Sequence, residues 1–393
     1  MKILMAEFTE IEKDRRILKE IATLKKAGHK VTVVGVKKKG KGLICKDLTQ
    51  NTNLILIPYK NVTPRGVFSK ILRFLDQLIV TARLWIAVLT STGFDVYHAH
   101  NAFTLPAMSV RSFLSRKSLI YDVHEVWWEI KAQLIDIGAL LERLFIKKAT
   151  HIVTTSEKFD PILKDRYKLV RPVLPMPNYP SLGELRERSP RISSINGDNF
   201  PKIPLLKLVY LGHVYANMTG LFNLLKAISS YENVQLHIYG YGSQGTMEKL
   251  SEETKSLFLE NRVFFHDPVS AESVLTSLKL YDIGIITYGW VNRPVSFKTY
   301  STTKLYMYLH AGLPILCSRI ESYEKDFEQH DIMYWVNWDN IDSFRSTIEK
   351  IMKENGADFI QRKNRCLKVS ERMVWEYQED KLINLYTTVR GRS

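Results

Sequence analysis

Glycines and polar side chains follow several apolar runs in the second half of this 393-residue chain. The runs end in three short segments: Gly212-His213, Tyr239-Gly240-Tyr241-Gly242 and His266-Asp267. Glycine at such a position permits a tight turn and a close approach of the backbone to a ligand. The pattern therefore predicts a ligand site at the ends of neighbouring strands.

A fourth segment, Ser301-Thr302-Thr303-Lys304, leads into a predicted helix, Lys304–His310. Hydroxyl groups before a helix, together with the free amides behind them, form a site that attracts anions. Lys304 adds a point charge suited to phosphate. Alone, each glycine would indicate a turn and each hydroxyl a helix cap, but the ordered set predicts a phosphate site.

Five titratable residues lie in the first half, at the ends of two adjacent predicted strands: His98, His100, Asp122, His124 and Glu125. Histidine and carboxylates are common general bases, so one of them could orient or deprotonate an acceptor hydroxyl. His124 is the first candidate, followed by Asp122 and Glu125. The alternative is that a histidine at a strand end only bonds backbone.

Trp127 and Trp128 follow this cluster directly. Their rings could stack on a sugar or enter lipid, and packing in a core is the alternative. With His98, His100 and Asn101 they are the candidates for the acceptor side.

Strands and helices that alternate along the chain would position all of these residues. Buried strands are predicted from short, uncharged, β-branched runs, and helices from apolar residues three and four apart. The predicted strands are Lys2–Ala6, Val31–Val36, Leu54–Ile57, Val96–Ala99, Leu119–Tyr121, Ile152–Thr154, Val170–Leu174, Lys207–Leu211, Gln235–Tyr239, Val263–Phe265, Ile283–Thr287 and Pro314–Cys317. The first helix, Arg15–Ala27, ends before Gly28, where a positive φ is expected. This alternation predicts an α/β fold with right-handed crossovers.

Two domains are expected because the chain is too long for one ordinary core. A stretch rich in proline, glycine and charge, Asn178–Pro204, separates the two alternations, and we assign residues 181–204 to a linker. Residues 1–180 and 205–370 form the domains, and a final amphipathic helix is predicted at Glu371–Val389. Two doubly wound sheets would bind a ligand between them, at the carboxyl ends of their strands.

The positive charge is concentrated in one half of the chain. Residues 1–180 carry 30 Lys and Arg against 16 Asp and Glu, a balance of +14, whereas residues 181–393 carry 26 against 25, a balance of +1. A basic half favours a polyanionic partner such as an anionic membrane. Surface lysines that only aid solubility are the alternative. Nucleic acid is not expected, because no known binding module is present.

An apolar stripe at helical spacing lies in the same basic half: Phe68, Ile71, Leu72, Leu75, Leu78, Ile79, Ala82, Trp85, Ile86 and Leu89. A basic helix that carries tryptophan suits a membrane surface. The alternative is an ordinary core helix, which needs the same stripe. Charges at Arg73, Asp76 and Arg83 argue against a membrane span.

Cysteine usage and the first residues favour a cytoplasmic location. Cys45, Cys317 and Cys366 have no paired spacing, which argues against disulfides or a zinc site. Met1–Phe8 lacks the basic and then apolar layout of a signal peptide. We expect a cytoplasmic protein, peripheral on the inner face of the membrane.

Taken together, these motifs resemble those of glycosyltransferases of the GT-B fold, most closely family 4. The resemblance covers nearly the whole chain. It is carried by Asp14-Arg-Arg, Ala27-Gly-His-Lys-Val-Thr-Val33, Phe94-Asp-Val-Tyr-His-Ala-His100, Tyr121-Asp-Val-His-Glu125, Thr154-Thr-Ser156, Val209-Tyr-Leu-Gly-His213, Ile238-Tyr-Gly-Tyr-Gly242, Phe265-His-Asp-Pro-Val269, Asp282-Ile-Gly-Ile-Ile-Thr-Tyr288 and the segment Ser301–Pro314.

The resemblance implies two Rossmann-like domains that face each other across a cleft, with the last helix (371–393) returning to the N-terminal domain. It implies that the second domain binds a UDP- or GDP-linked sugar and the first an acceptor, with retention of configuration. No divalent metal and no further cofactor are implied. His124 matches the family histidine that faces the transferred sugar, His266–Val269 would bind the base, and Tyr288 joins the donor site.

Several positions depart from the family pattern. His213 and Thr219 stand where many members have Arg and Lys, and Thr299 and Met307 stand where they have glutamates. Lys304, with Arg293 or Lys298, would then hold the diphosphate. A catalytically silent scaffold on this fold and a nucleotide-sugar epimerase remain the alternatives.

Overall fold

The structure of the protein, a computed structural model, describes residues 1–38, 52–59, 67–124, 127–129, 137–185, 205–214, 220–269, 273–289 and 302–390. The chain divides into two compact units. Unit 1 comprises Met1–Asn178 and Glu376–Ser393, and unit 2 comprises Tyr179–Trp375.

Unit 1 is built on a parallel sheet of seven strands. They are β1 (Lys2–Glu10), β2 (Lys30–Lys38), β3 (Thr52–Tyr59), β4 (Val96–His100), β5 (Ser118–Val123), β6 (His151–Thr154) and β7 (Val173–Pro175). Their order is β3-β2-β1-β4-β5-β6-β7. The order reverses between β1 and β4, which is where doubly wound sheets bind ligands.

In the described parts of unit 1 there are six α-helices. They are α1 (Arg15–Lys26), α2 (Val67–Thr90), α3 (Leu105–Ser115), α4 (Ile137–Phe145), α5 (Phe159–Tyr167) and the last helix of the chain, α13 (Glu376–Arg390). The helix α13 packs on α1, where Glu379 accepts from Thr23 and pairs with Lys26 at 2.7 Å. Gly28, just after α1, has a φ of 80°, as its position predicts.

The long helix α2 turns only a narrow face to the core. Val80, Leu84 and Val88 are buried there, whereas six members of the predicted stripe are 37–60% exposed: Leu72, Leu75, Leu78, Ile79, Ile86 and Leu89. The stripe is therefore not the core face of α2. Among the described residues, no helix has the length and apolar character to cross a membrane.

Unit 2 has a parallel sheet of six strands. They are β8 (Leu206–Val214), β9 (Val234–Gly242), β10 (Val263–His266), β11 (Ile283–Ile286), β12 (Ile315–Ser318) and β13 (Met333–Val336), in the order β10-β9-β8-β11-β12-β13. The order reverses between β8 and β11. Alternate residues of β8 enter opposite cores, Val209 on one face and Leu208 and Tyr210 on the other.

The helices of unit 2 cover both faces of this sheet. They are α6 (Leu221–Ile228), α7 (Gln244–Ser256), α8 (Val274–Leu278), α9 (Thr303–His310), α10 (Glu321–Phe327), α11 (Ile341–Lys353) and α12 (Gly356–Ser370). Helix α9 is the one predicted at Lys304–His310. The predicted α/β class with two parallel sheets is confirmed.

Every predicted strand has a counterpart, and three elements differ from the prediction. The seventh strand is Val173–Pro175 instead of Val170–Leu174, because Val170 is 99% exposed. Strand β13 was not predicted. The last helix begins at Glu376 and not at Glu371.

Candidate active site

The predicted polar cluster of unit 1 lies at the carboxyl ends of β4 and β5. His98 and His100 are on β4, Asp122 is on β5, and His124 follows two residues later. His100 is in register with Asp122, so the strand residues point to the same face of the sheet. The structure thus brings these four together, whereas Glu125 lies outside the described residues.

A buried arginine from α1 neutralises the carboxylate in this cluster. Arg16 donates to both oxygens of Asp122, from Nε at 2.6 Å and Nη2 at 3.1 Å, and to the Met176 carbonyl from Nη1. The side chain of Asp14 caps α1 and so fixes its start. Burial alone would raise the pKa of Asp122, but Arg16 and His124 hold it well below its usual range. Asp122 is therefore an anion at neutral pH and not a free base.

The imidazole of His124 is the partly exposed end of the cluster, with 16% of its side chain accessible. Its Nε2 lies 3.2 Å from Asp122 Oδ2, and its Nδ1 lies 3.9 Å from Glu7 Oε2. Burial disfavours the charged ring, but Asp122 and Glu7 outweigh it and raise the pKa of His124 to about 9. At neutral pH His124 is thus a charged hydrogen-bond donor, and it could act as a base only after losing its proton.

His98 and His100 are completely buried and neutral. Burial lowers the pKa of His98 to about 3 and that of His100 well below its usual value. The two rings stack with centroids 4.2 Å apart, and His100 Nδ1 lies 3.4 Å from His124 Nε2. These contacts make the pair a support for His124.

Asn101 and Glu7 form the adjoining edge, at the ends of β4 and β1. Asn101 has a φ of 66° and donates from Nδ2 to Glu7, which also accepts from the Phe8 amide at 2.7 Å. Burial raises the pKa of Glu7 to about 8, and the charge of His124 opposes this rise. Two groups that touch each other, Glu7 and His124, therefore titrate within about two units of neutrality.

Two groups of side chains offer atoms that a metal could use: Glu20, His98, His100 and Asp122, and Glu7, His100 and His124. In the first group the guanidinium of Arg16 already binds Asp122 and lies 3.4 Å from Glu20. In the second, a protonated His124 has no lone pair for a metal. Neither arrangement favours a divalent ion, because a cation, Arg16 beside the first group and His124 within the second, already occupies it.

The two neighbouring tryptophans pack against protein. Trp127 meets Phe103 edge to face at 5.4 Å, and a Cβ at Gly138 would collide with its ring. Trp128 lies under the guanidinium of Arg166, 4.2 Å from the ring centroid. Both rings are half-buried, so their packing is at least partly structural.

In unit 2, Lys304 lies in the first turn of α9, beside the end of β8. Its Nζ is 4.2 Å from the centre of the Tyr210 ring and 5.1 Å from that of Tyr288. Gly212 lies beside it: its φ of 98° favours glycine, and a Cβ there would be in ordinary contact with Nζ, at 3.5 Å. Burial lowers the pKa of Lys304 to about 7. Among the described residues, no carboxylate forms an ion pair with it.

Among the described residues, no hydroxyl caps the start of α9 as the sequence predicted. Thr302 occupies the N-cap position, but its side chain makes no capping hydrogen bond, and Thr303 is exposed. Ser301 lies outside the described residues, as do Thr219, Arg293, Lys298 and Thr299. Met307 is buried in the apolar core. Of the first-turn amides, that of Leu305 donates to the Thr302 carbonyl at 3.1 Å, and helix geometry gives those of Thr303 and Lys304 no intrahelical partner.

The ends of β9 and β10 form an aromatic wall on the other side of Gly212. Tyr239 and His266 stack with centroids 4.3 Å apart, and the Tyr239 hydroxyl meets that of Tyr281 at 2.7 Å. Tyr241 meets the His213 ring edge to face, and Asp267 is exposed. A Cβ at Gly240 would collide with the Gly212 carbonyl, so only glycine fits there. Gly242 is equally tight against Val214.

Comparison with known proteins identifies the class. Residues 15–178 match the family Glycosyltransferase Family 4, and residues 205–368 match the family Glycosyl transferases group 1. The chain is a glycosyltransferase of the GT-B fold, of the family 4 type. Comparison with curated protein sequences gives no significant match.

Solved structures of other glycosyltransferases share the fold along the whole chain. Sucrose-phosphate synthase from Thermosynechococcus elongatus is 13% identical, with a TM-score of 0.76 and 100% of both chains covered. HepE from Anabaena, in complex with UDP and glucose, is 13% identical, with a TM-score of 0.71 over 99% of this chain and 100% of that one. WaaG, a glycosyltransferase involved in lipopolysaccharide biosynthesis, is 14% identical, with a TM-score of 0.64 over 97% and 99%.

Sequence reasoning missed several residues that the glycosyltransferase places at these sites. Glu7, Glu20 and Tyr386 are buried against the histidines, and Tyr210 lies against Lys304. Arg16 stands within the quoted Asp14-Arg-Arg motif but had no role. A signal existed for α1, where Arg16 and Glu20 share the face of buried Ile17, Ile21 and Leu24.

Proposed function

We propose that this glycosyltransferase moves a hexose from a nucleotide sugar to a lipid-linked or polysaccharide acceptor, with retention of configuration and without a divalent metal. The reaction would serve cell-surface glycan synthesis on the cytoplasmic face of a membrane. The observation that carries the donor part is Lys304, a buried lysine in the first turn of α9 that forms no ion pair with any described carboxylate. A diphosphate is the anion that such a site suits.

The chemistry follows from where charge develops. When the bond between the sugar and the diphosphate breaks, negative charge accumulates on the leaving phosphate, and Lys304 with the α9 amides would stabilise it. Retention follows if the acceptor attacks the face from which the diphosphate departs. His124 would donate a hydrogen bond to the transferred sugar, in keeping with its raised pKa.

The aromatic wall of Tyr239 and His266 suits the flat ring of a nucleobase. UDP is the first nucleotide to test, because HepE has been solved with UDP and with UDP-glucose. A solved structure of E. coli trehalose-6-phosphate bound with UDP-2-fluoro glucose is also similar, with a TM-score of 0.69 at 10% identity.

A membrane-bound acceptor is supported by the surface of α2, α3 and α4. Helix α3 packs against both of the others. Large apolar side chains stand exposed on all three, including Ile79 (50%), Phe113 (81%) and Leu144 (58%). Exposed basic residues accompany them on or next to the same helices: Arg83, Arg116, Arg143, Lys147 and Lys148. Apolar side chains interleaved with positive charge fit the surface of an anionic bilayer.

Calorimetric titration of the full chain with UDP and GDP tests the donor site before any acceptor is known. We expect one of them to bind in the micromolar range or tighter. The preferred nucleotide then selects a panel of sugar nucleotides, whose turnover is followed by release of the diphosphate. Failure to bind either nucleotide would refute the enzymatic proposal and favour a silent scaffold on this fold.

A further inference from the structure

Tyr386 brings a hydroxyl from the end of the chain to the buried histidines of unit 1. The residue lies on α13, is completely buried, and places its hydroxyl 2.8 Å from His98 Nδ1, across 288 positions of sequence. The contacts of Glu379 with Thr23 and Lys26 hold α13 against α1. This tyrosine has no role in the proposed reaction.

From Tyr386 a continuous column of polar rings leads to the accessible face. His98 stacks on His100 at 4.2 Å, and His100 Nδ1 lies 3.4 Å from His124 Nε2. Of these four side chains only His124 is accessible, whereas Tyr386, His98 and His100 are fully buried. A change at Tyr386 would thus reach His124 through two tightly packed rings.

Hydrogen bonding decides which nitrogen of His98 carries the proton. Burial raises the pKa of Tyr386 and lowers that of His98, so both groups are neutral. Among the described residues, His98 Nδ1 is the one hydrogen-bond partner of the tyrosine hydroxyl. If the hydroxyl donates to Nδ1, only the N–H at Nε2 is left without a partner. In the opposite tautomer, both the hydroxyl proton and the Nε2 lone pair have no partner, so this state is less stable.

We propose that Tyr386 is a positioning residue for His124: its hydroxyl fixes the tautomer of His98 at the base of the histidine column. The inference rests on the proposed function, because it assigns the last helix a role in positioning His124, the histidine that would donate to the transferred sugar. Tyr386 does not touch substrate in this scheme. It acts through His98 and His100.

Glu20 supplies the link between this tautomer and the charge on His124. The carboxyl group lies 3.8 Å from His98 Nδ1, 3.7 Å from His100 Nε2 and 3.4 Å from Arg16 Nε, and no hydrogen bond to it is formed among the described residues. Burial, and then the neighbouring charge of Asp122, raise the pKa of Glu20 well above its usual value. It therefore keeps a proton while His98 Nδ1 faces the tyrosine.

Without the hydroxyl, the proton can move to Nδ1, and this N–H then faces the Glu20 oxygen 3.8 Å away, which favours the ionised carboxylate. The groups that face His124 are Asp122, Glu7, His100 and, further away, Arg16. An additional anion at Glu20 adds to their field. The charged form of His124 becomes more stable, so its titration midpoint rises.

The test is Tyr386→Phe in the full chain, followed by NMR titration of the histidine ring carbons, with His124 assigned by His124→Gln. We expect the His124 midpoint to rise by roughly half a pH unit or more. Tyr97→Phe is the matched control, because Tyr97 is also fully buried, adjoins His98 in β4, and binds Ser115 instead of the column. An unchanged midpoint in Tyr386→Phe, or an equal shift in Tyr97→Phe, would overturn the proposal.

A second variant covers the case in which Tyr386→Phe does not fold. His98→Gln removes the tautomer while keeping a hydrogen-bonding amide, and its His124 midpoint should shift in the same direction. No shift in this variant would also overturn the proposal.

Turnover separates this inference from the proposed function. With UDP-glucose, or whichever donor the panel selects, Tyr386→Phe should lower kcat about threefold or more and leave the donor KM within about twofold. A wild-type chain that turns over no donor would defeat the proposed function, whereas the NMR shift would still establish the coupling. A lower melting temperature with an unchanged kcat and midpoint would reduce Tyr386 to a structural role.

Discussion

At the scale of single residues, two cations of opposite character stand out. Lys304 loses its proton easily, because burial among Tyr210 and Tyr288 lowers its pKa to about 7. His124 holds its proton strongly, because the Asp122 anion, and Glu7 once it ionises, raise its pKa to about 9. Each value follows from the neighbours of the residue and leads to a distinct pH dependence.

The binding of UDP should draw a proton onto Lys304. The diphosphate supplies the anion that the free site lacks, so the pKa of Lys304 rises from about 7 when UDP binds. Affinity should therefore fall as the pH increases above 7. Calorimetry at pH 8 in buffers of different ionisation heat should detect proton uptake with UDP and none with uridine.

The matched variant is Lys304→Ala. It should abolish the proton uptake and weaken UDP binding about tenfold or more, while uridine binding changes little. An equal loss for UDP and uridine, or uptake that persists in the variant, would refute the role of Lys304.

Asp122 should control the charge of His124. In Asp122→Asn the anion 3.2 Å from Nε2 is lost, and burial then acts with less opposition. The His124 midpoint should fall from about 9 by roughly one unit or more. Histidine NMR checks this, with Asp165→Asn, an exposed carboxylate, as the control. A midpoint that stays near 9 would mean that another group holds the proton.

At the scale of elements, the position of α9 depends on how it packs on the sheet. Tyr308, fully buried on α9, donates to the Val209 carbonyl at 3.1 Å and accepts from the Leu211 amide at 3.0 Å. Its ring lies against Gly284 of β11, where a Cβ would be 2.5 Å from Tyr308 Cγ. The absence of a side chain at Gly284 thus sets how closely the start of α9 approaches β8.

Gly284→Ala should therefore damage both stability and binding. The added methyl forces the Tyr308 ring and α9 away from the sheet, at a cost of about 1–3 kcal/mol in the free energy of unfolding. Denaturant unfolding and UDP titration would measure the two effects. Gly245→Ala is the control, because a Cβ there meets nothing within 4 Å. A variant as stable as the control would show that α9 tolerates the shift.

At the scale of the whole molecule, charge and apolar surface coincide. The half of the chain with a charge of +14 also carries the exposed side chains of α2, α3 and α4. Each basic residue near an anionic surface contributes about 1 kcal/mol, and this part is screened by salt. Buried apolar contacts are not screened in the same way.

The protein should pellet with vesicles that contain phosphatidylserine and not with phosphatidylcholine alone, and high salt should release part of it. Leu75→Gln with Leu78→Gln should reduce the bound fraction, because both side chains are nearly half exposed on α2. Leu280→Gln in unit 2 is the control, with an apolar side chain that is 66% exposed. Equal binding to anionic and neutral vesicles would contradict the proposal. Dimers in light scattering that are abolished only by the α2 variant would contradict it too.

Local sequence patterns determined the elements and their order. A buried parallel strand must be apolar on both faces, so runs such as Val31–Val36 were recognisable without any partner. Glycine at Gly28 and Gly212 was predictable for the same local reason, since the backbone there needs a positive φ. Strand β13 (Met333–Val336) was not predicted, although other strands of four residues were.

Only the tertiary structure decided which groups meet and what charge they carry. The packing of α1 and α13 against the sheet brings Arg16 to Asp122 and Tyr386 to His98, over sequence separations of 106 and 288 residues. It likewise selected the face of Val80, Leu84 and Val88 on α2, a helix apolar on most of its surface, as the buried one. The sequence determined that histidines and a lysine would stand at strand and helix ends. Their protonation depends on burial and on charges within a few ångströms, which arise only when distant segments pack together.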